Sequence, residues 1–305
     1  MFLPFKTSVV FSLTLLTLPV LATQTPRAVR EPEAATGHQL KQHVTGQQYM
    51  VAAANPYAAK AGQTILAKGG SAVDAAIATQ LVLTLVEPQS SGIGGGTFML
   101  HFDKGHNKLT SFDGRETAPS DADERLFLDE KGNAAPWIEA VVGGRSVGVP
   151  GLLHAFAKAH QQYGKLAWAE LFKPAIELAE QGFVVSPRLH ALLAKQINPG
   201  VTTLPVIRDY FFPDGKPLAV GTVKTNQPLA EVYKKIASKG IDAFYKGDNA
   251  KQMVAAVTHS IVAPGTLALT DLANYKSKQR DAVCTPYHSY KVCSMAPPSS
   301  GGVAV

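Results

Sequence analysis

The stretch that most restricts the fold is Ala72-Val-Asp-Ala-Ala-Ile-Ala-Thr-Gln-Leu-Val-Leu-Thr-Leu-Val86, which is apolar on nearly every face at helical spacing. A surface helix carries one apolar stripe. A helix apolar all round has to be covered on every side, so other elements must be layered about it. Ser71 is placed to cap its start and Glu87-Pro88 to end it. Its many alanines let neighbouring elements pack closely.

The flanks extend this picture. Met50–Ala54 reads as a short buried strand, and Asn55 then caps a helix with Pro56 at its first position and Gly69-Gly70 at its end. After Pro88 comes a glycine-rich loop, Ser90–Gly96. Strand-like Thr97–Phe102 and Leu109–Phe112 follow, with a turn at Gly105-His-Asn107 that makes a hairpin. From about residue 150 to 260 the pattern is mainly helical: Leu152–Tyr163, Trp168–Glu180 with Pro174 as a break or restart, a helix opened by Ser186-Pro187, and Pro228–Ser238 ending at Gly240. Thr270–Tyr275 is a short capped helix, after which the pattern turns β-like. The expected class is α/β, of layered α+β type. With 46% hydrophobic and 17% charged residues in 305, the composition is that of a globular chain with a sizeable core.

The formal charge of +6 comes from 29 Lys and Arg against 23 Asp and Glu. These cations are scattered among acids and apolar residues and form no stripe or arm, which argues against nucleic acid as a partner. At the start of the chain, Lys6 precedes the apolar run Val9–Ala22, with Pro19 near its end and Val20-Leu21-Ala22 as a peptidase site. This pattern is a signal peptide cleaved after Ala22, and it implies a periplasmic or secreted protein. The alternative is a membrane anchor, but the run falls short of the roughly 20 apolar residues a span needs, and no second run is long enough to span. Residues 23–47 are polar and read as a flexible mature N-terminus.

Export gives meaning to the two cysteines. Cys284 and Cys293 flank two short strands around a turn at His288-Ser289, and counting outward from that turn sets Cys284 opposite Cys293. A facing pair of this kind suits a disulfide in an oxidising compartment. Two buried free thiols are the alternative. Two cysteines without a Cys/His cluster make no zinc site.

Three segments are candidates for chemistry. Gly92-Ile-Gly-Gly-Gly-Thr97 begins like a dinucleotide fingerprint, but Thr stands at the third glycine and the loop runs from helix to strand, the reverse of that motif. It reads as a tight structural turn. Asp113-Gly-Arg-Glu-Thr-Ala-Pro119 places Arg115 at a strand end, where its guanidinium either receives a substrate carboxylate or forms a local ion pair with Asp113 or Glu116. Nucleophile candidates are weak. There is no Gly-x-Ser-x-Gly elbow, Thr202-Thr203 lies in the helical stretch before Leu-Pro, and His101, His154 and His160 have no visible partners.

Taken together, Gly69–Ala78, Glu87–Gly96, Asp113–Pro119, Ser146-Val-Gly-Val-Pro-Gly151, Leu171–Ala179 and Pro297-Pro-Ser-Ser-Gly-Gly302 resemble, in order and spacing, the γ-glutamyltransferase (γ-glutamyltranspeptidase) family. The resemblance covers residues 49–305, and residues 48–305 are read as the large-subunit region of the precursor. It implies an N-terminal-nucleophile hydrolase with an αββα sandwich, of which this chain is a partial form with a large helical portion, incomplete without the C-terminal part. It also implies a precursor that cleaves itself, so that a new N-terminal threonine with its free amine becomes the nucleophile. That threonine attacks glutathione or another γ-glutamyl compound, and the group passes to water or to an amino acid or peptide. No metal or organic cofactor is implied. The family's carboxylate-binding arginine corresponds to Arg115. The threonine belongs to a Thr-Thr-His-like segment beyond Val305, so no catalytic residue is expected here. These 305 residues are expected to be inactive and to fold poorly without that small-subunit part. A glutaryl-cephalosporin acylase of the same fold and a non-catalytic glutamate-binding remnant are the alternatives.

Overall fold

The computed structural model describes residues 43–304, all of which lie in one compact unit. The expected signal peptide and most of the polar segment 23–47 lie outside the described residues.

Helix α1 (Pro56–Ala67) begins where the Asn55 side chain accepts the Tyr57 N–H, and it ends at Gly69, whose φ of 85° is left-handed. Helix α2 (Ala72–Val86) is the apolar segment. The Ser71 hydroxyl accepts the Asp74 N–H at 3.1 Å, and the Asp74 carboxylate accepts the Ser71 N–H at 2.8 Å, a reciprocal cap. The same carboxylate oxygen accepts the Lys165 and Leu166 N–H groups at 2.9 and 3.1 Å, so the cap also ties down a distant loop. Ile77, Leu81, Val82, Leu85 and Val86 are almost fully buried. Each contributes about 1.5–3 kcal/mol, an upper range.

Strands β1 (Thr97–Asp103) and β2 (Lys108–Gly114) form the hairpin, with Asp103 opposite Lys108 and Thr97 opposite Gly114. After a short helix α3 (Trp137–Val141) come α4 (Leu152–Tyr163) and α5 (Trp168–Gln181). Helix α5 runs straight through Pro174, which overturns the expected break. The proline forfeits one ladder bond at a cost of roughly 3 kcal/mol, while Leu171, Phe172, Ala175 and Ala179 are fully buried on either side of it and keep the helix continuous. Next come β3 (Phe183–Val184), α6 (Pro187–Lys195), α7 (Gly200–Thr203), α8 (Pro205–Phe211), β4 (Val223–Lys224), α9 (Gln227–Lys239), α10 (Asp242–Tyr245), α11 (Gly247–Thr258) and α12 (Leu269–Asn274). The described chain ends with β5 (Lys278–Arg280), β6 (Val283–Tyr287), β7 (Tyr290–Ser294) and α13 (Gly301–Ala304).

Met50–Ala54 is not a strand. It is irregular, and Met50 is exposed. A short apolar run becomes a strand only beside a partner edge, and this one has none among the described residues.

Helix α2 is packed by α1, α4 and α5, and α9 packs on α5 with its Tyr233 hydroxyl donating to the Leu81 carbonyl of α2 at 3.1 Å. Strand β2 lies between β1 and β5 and rests on α4. It is buried from Thr110 to Gly114, while β1 is an edge strand with Leu100 and Phe102 exposed. The antiparallel β2–β5 pairing sets Ser111 opposite Arg280 and Asp113 opposite Lys278, which brings residues near 280 to the Arg115 end of β2. No helix among the described residues is long and apolar enough to cross a membrane.

Candidate functional site

The end of strand β2 is pressed against the N-terminus of α4. A Cβ on Gly114 would sit 2.7 Å from the Ala155 Cβ and 2.8 Å from the Gly151 carbonyl oxygen. A Cβ on Gly151 would overlap the Tyr275 hydroxyl and the Gly114 carbonyl oxygen. Two glycines facing each other therefore let the backbones approach more closely than any side chain permits. The glycine-rich loop closes the other side. The Gly95 carbonyl accepts the Gly151 and Leu152 N–H groups at 3.0 and 3.1 Å, satisfying two donors at the start of α4. A Cβ on Gly96 would meet the Glu116 carboxylate at 2.5 Å. The loop is the tight structural turn that its helix-to-strand placement suggests.

Arg115 emerges from this packed corner with its main chain fixed at both ends. Its N–H donates to Asp113 Oδ1 at 2.9 Å, and its carbonyl accepts the Tyr275 hydroxyl at 2.8 Å. The other Asp113 oxygen accepts Arg280 Nε at 2.6 Å, and Asp113 is only 5% exposed. That carboxylate is thus committed to Arg280. Burial, with the charges of Asp113 and Glu116 beside it, pushes the Tyr275 phenol up to about 12, so it remains a neutral donor.

The Arg115 side chain is 61% exposed, and its one ion pair is a 3.5 Å contact from Nε to Glu116 Oε2. An exposed contact of that length contributes little, and both Nη groups stay without a protein partner among the described residues. Of the ion pairs the sequence allows, the one with Glu116 is present as this loose contact, and the fork itself is open. Arg115 walls two clefts. One, of about 480 Å³, is also lined by Leu126, Phe127, Arg145 and Ser146. The other, of about 120 Å³, is lined by Tyr275, Lys276, Lys278 and Arg280. A guanidinium on a fixed main chain, with free Nη groups beside such clefts, can take a carboxylate by two parallel hydrogen bonds.

Neither cleft is lined by a His or Cys. The Ser146 hydroxyl is turned to the carbonyls of Val141 and Gly143, at 3.3 and 3.1 Å. The Thr202 and Thr203 hydroxyls both donate to the Pro199 carbonyl within α7. The arrangement offers cations to an anion and holds no activated nucleophile among the described residues.

The remaining candidates lie apart from this corner or behind it. Cys284 and Cys293 face each other across β6 and β7 and are joined by a disulfide, with Cα atoms 4.1 Å apart. Two of the histidines that lacked partners in the sequence, His154 and His160, have hydrogen-bond partners in the fold. His154 Nδ1 lies 2.9 Å from the Ser277 hydroxyl and accepts the Ser277 N–H at 3.2 Å. His160 Nε2 donates to the Leu166 carbonyl at 2.9 Å, and the His101 ring lies 4.1 Å from that of Tyr163. Sequence reasoning missed Tyr275 and Arg280, which reach Arg115 and Asp113 from 160 and 167 residues away. The segment Tyr275-Lys-Ser-Lys-Gln-Arg280 carries no local sign of that role.

Comparison with known proteins gives this geometry a context. The gamma-glutamyltranspeptidase family model matches residues 58–305. A glutathione hydrolase proenzyme of Bacillus subtilis (strain 168) is 40% identical over 265 residues, which make up 86% of this chain and 44% of that protein. Among solved structures, Helicobacter pylori gamma-glutamyltranspeptidase superposes with a TM-score of 0.80 at 31% identity, over 86% of this chain and 73% of that one. Gamma-glutamyltranspeptidase from Pseudomonas nitroreducens, complexed with L-DON, gives 0.78 at 35% identity, over 85% and 74%. The fold is thus the N-terminal-nucleophile hydrolase fold of those enzymes. The chain spans less than half the length of the curated relatives it matches.

Proposed function

The chain belongs to the gamma-glutamyltranspeptidase family, and from that membership we propose that its residues hold the γ-glutamyl end of the substrate in an enzyme that cleaves glutathione and related compounds. The observation that carries this reading is the open guanidinium fork of Arg115, on a main chain pinned by Asp113 and Tyr275. The α-carboxylate of a γ-glutamyl group matches that fork. The nucleophilic threonine, and the amine that activates it, come from the small-subunit part of the precursor, so the two parts act together. The threonine oxygen bonds to the γ-carbonyl carbon, and the C–N bond breaks as the amine leaves with a proton. Water or an amino acid or peptide amine then takes the acyl group and returns the threonine. Export through residues 1–22 belongs to the same proposal. Recovery of a mature protein beginning at Thr23 from periplasm or medium supports it.

The test is steady-state kinetics of the complete protein on a γ-glutamyl anilide. Arg115→Lys keeps the charge and loses the fork, and its KM is expected to rise roughly ten- to a hundredfold. Arg115→Gln is expected to weaken binding further. An unchanged KM in both variants, or turnover of a glutaryl-cephalosporin in place of the anilide, overturns the reading.

A further inference from the structure

The larger cleft holds a second guanidinium that binding of the γ-glutamyl end does not use. Arg145 lines it together with Arg115, and the Arg145 side chain is half-buried with no hydrogen bond or ion pair among the described residues. Its position is firmly set. The Arg145 N–H donates to the Ala263 carbonyl at 2.7 Å, and the Gly144 N–H donates to the Val262 carbonyl at 3.3 Å. Gly143, at φ 96°, and Gly144 have the Val262 and Val257 carbonyls where a Cβ would stand, so this turn is locked onto the 257–265 loop. Glu116 is the only acid lining the cleft, and it is already beside Arg115. Among the described residues Arg145 therefore has no counter-charge. A half-buried cation without one is costly in the free protein, and a ligand anion relieves that cost.

Leu126 and Phe127, the latter 43% exposed, give the same cleft an apolar part of its wall. The cleft's volume is within the usual range for small-molecule sites. Two cations and apolar side chains lining one cleft fit a substrate with an anion at each end and a less polar middle. The smaller cleft has too little volume for more than one end of such a molecule, and its Lys276 and Lys278 are solvated.

We propose that Arg145 is a specificity-determining residue that binds a second carboxylate on the same substrate, the C-terminal carboxylate of a γ-glutamyl peptide. This rests on the reading of Arg115 above. It assigns the chain a preference for γ-glutamyl peptides with a free C-terminus over γ-glutamyl amides and anilides.

The complete protein and its Arg145→Gln, Arg145→Lys and Arg115→Gln variants are compared on three donors. These are glutathione, glutathione amidated at its glycine carboxylate, and γ-glutamyl-4-nitroanilide. Arg145→Gln is expected to raise KM for glutathione about tenfold. It should leave KM for the amidated donor and the anilide within about twofold and kcat unchanged, with Arg145→Lys in between. Arg115→Gln raises KM for all three. Equal effects of Arg145→Gln on all three donors, or none on glutathione, overturn the assignment while leaving Arg115 in place. If Arg115→Gln changes nothing, or the parent protein cleaves no γ-glutamyl donor, the underlying reading fails and this one with it.

Discussion

The Tyr275 hydroxyl donates to the Arg115 carbonyl across 2.8 Å, joining the residue just past α12 to the residue just past β2. Tyr275 also stacks on Tyr245, with ring planes 3° apart, and the Tyr245 hydroxyl donates to the Pro150 carbonyl. The loop ahead of α4 and the main chain of Arg115 are thus held by one pair of aromatic rings.

Replacing Tyr275 with Phe keeps the stack and removes only the hydroxyl. The Arg115 carbonyl loses its partner, and stability is expected to fall by about 1–2 kcal/mol. In the complete protein, KM for a γ-glutamyl donor should rise by a few fold with little change in kcat, because the guanidinium is displaced and the reacting groups are not. Denaturant melts and steady-state kinetics check the two parts separately.

Gly151→Ala tests the close approach of β2 and α4. The new methyl meets the Tyr275 hydroxyl and the Gly114 carbonyl, and the second of these is backbone and gives little. A loss of roughly 1–3 kcal/mol or more is expected in urea unfolding. Gly94→Ala, where a Cβ meets nothing within 4 Å, is the matched control and should leave the midpoint in place.

Stability should fall on mild acidification. Burial, reinforced by Lys276 and Lys158, holds the His154 imidazole below its usual 6.5, and burial does the same for His101 against the opposing charge of Asp103. The unfolded chain therefore binds protons more readily than the folded one just below pH 6.5. The contribution of these two groups is complete above that pH and is lost as pH falls from 6.5 through their lowered folded values. Urea midpoints of the parent and of His154→Gln between pH 7.5 and 5 check this. The variant should show a shallower decline over that interval.

The Cys284–Cys293 bond closes a short loop, with a separation of 9 residues. Loop-closure entropy gives it about 2.7 kcal/mol, and the strands it joins are largely exposed. Reduction is expected to speed amide exchange in Val283–Ser294 while the amides of α2 stay protected. Hydrogen exchange with and without reductant reads this directly. Equal acceleration in α2 would show the hairpin to be coupled to the core.

Much of the local structure was legible because its causes are local. Asn55, Ser71 and Ser186 cap helices that begin where the sequence sets them, and the 97–114 hairpin turns at its glycine. The facing of Cys284 and Cys293 follows from counting strand residues outward from a turn. Pro174 misled because intrinsic propensity there is overridden by burial on both sides of it. Met50–Ala54 misled because apolar character alone supplies no partner edge.

The sequence by itself determined that α2 must be enclosed, since a helix apolar on every face is stable only when covered, and it placed Arg115 at a strand end. Its six matching segments also carried the family. Whether Arg115 would be free or paired was decided only by the tertiary structure. Asp113, its neighbour two residues away, is engaged by Arg280 from across the sheet, and Tyr275 and Arg145 are brought to the same corner by contacts between distant segments. Pairings of that kind depend on strand register and on glycine-to-glycine contact, which arise when layers pack and leave no periodic trace in the chain.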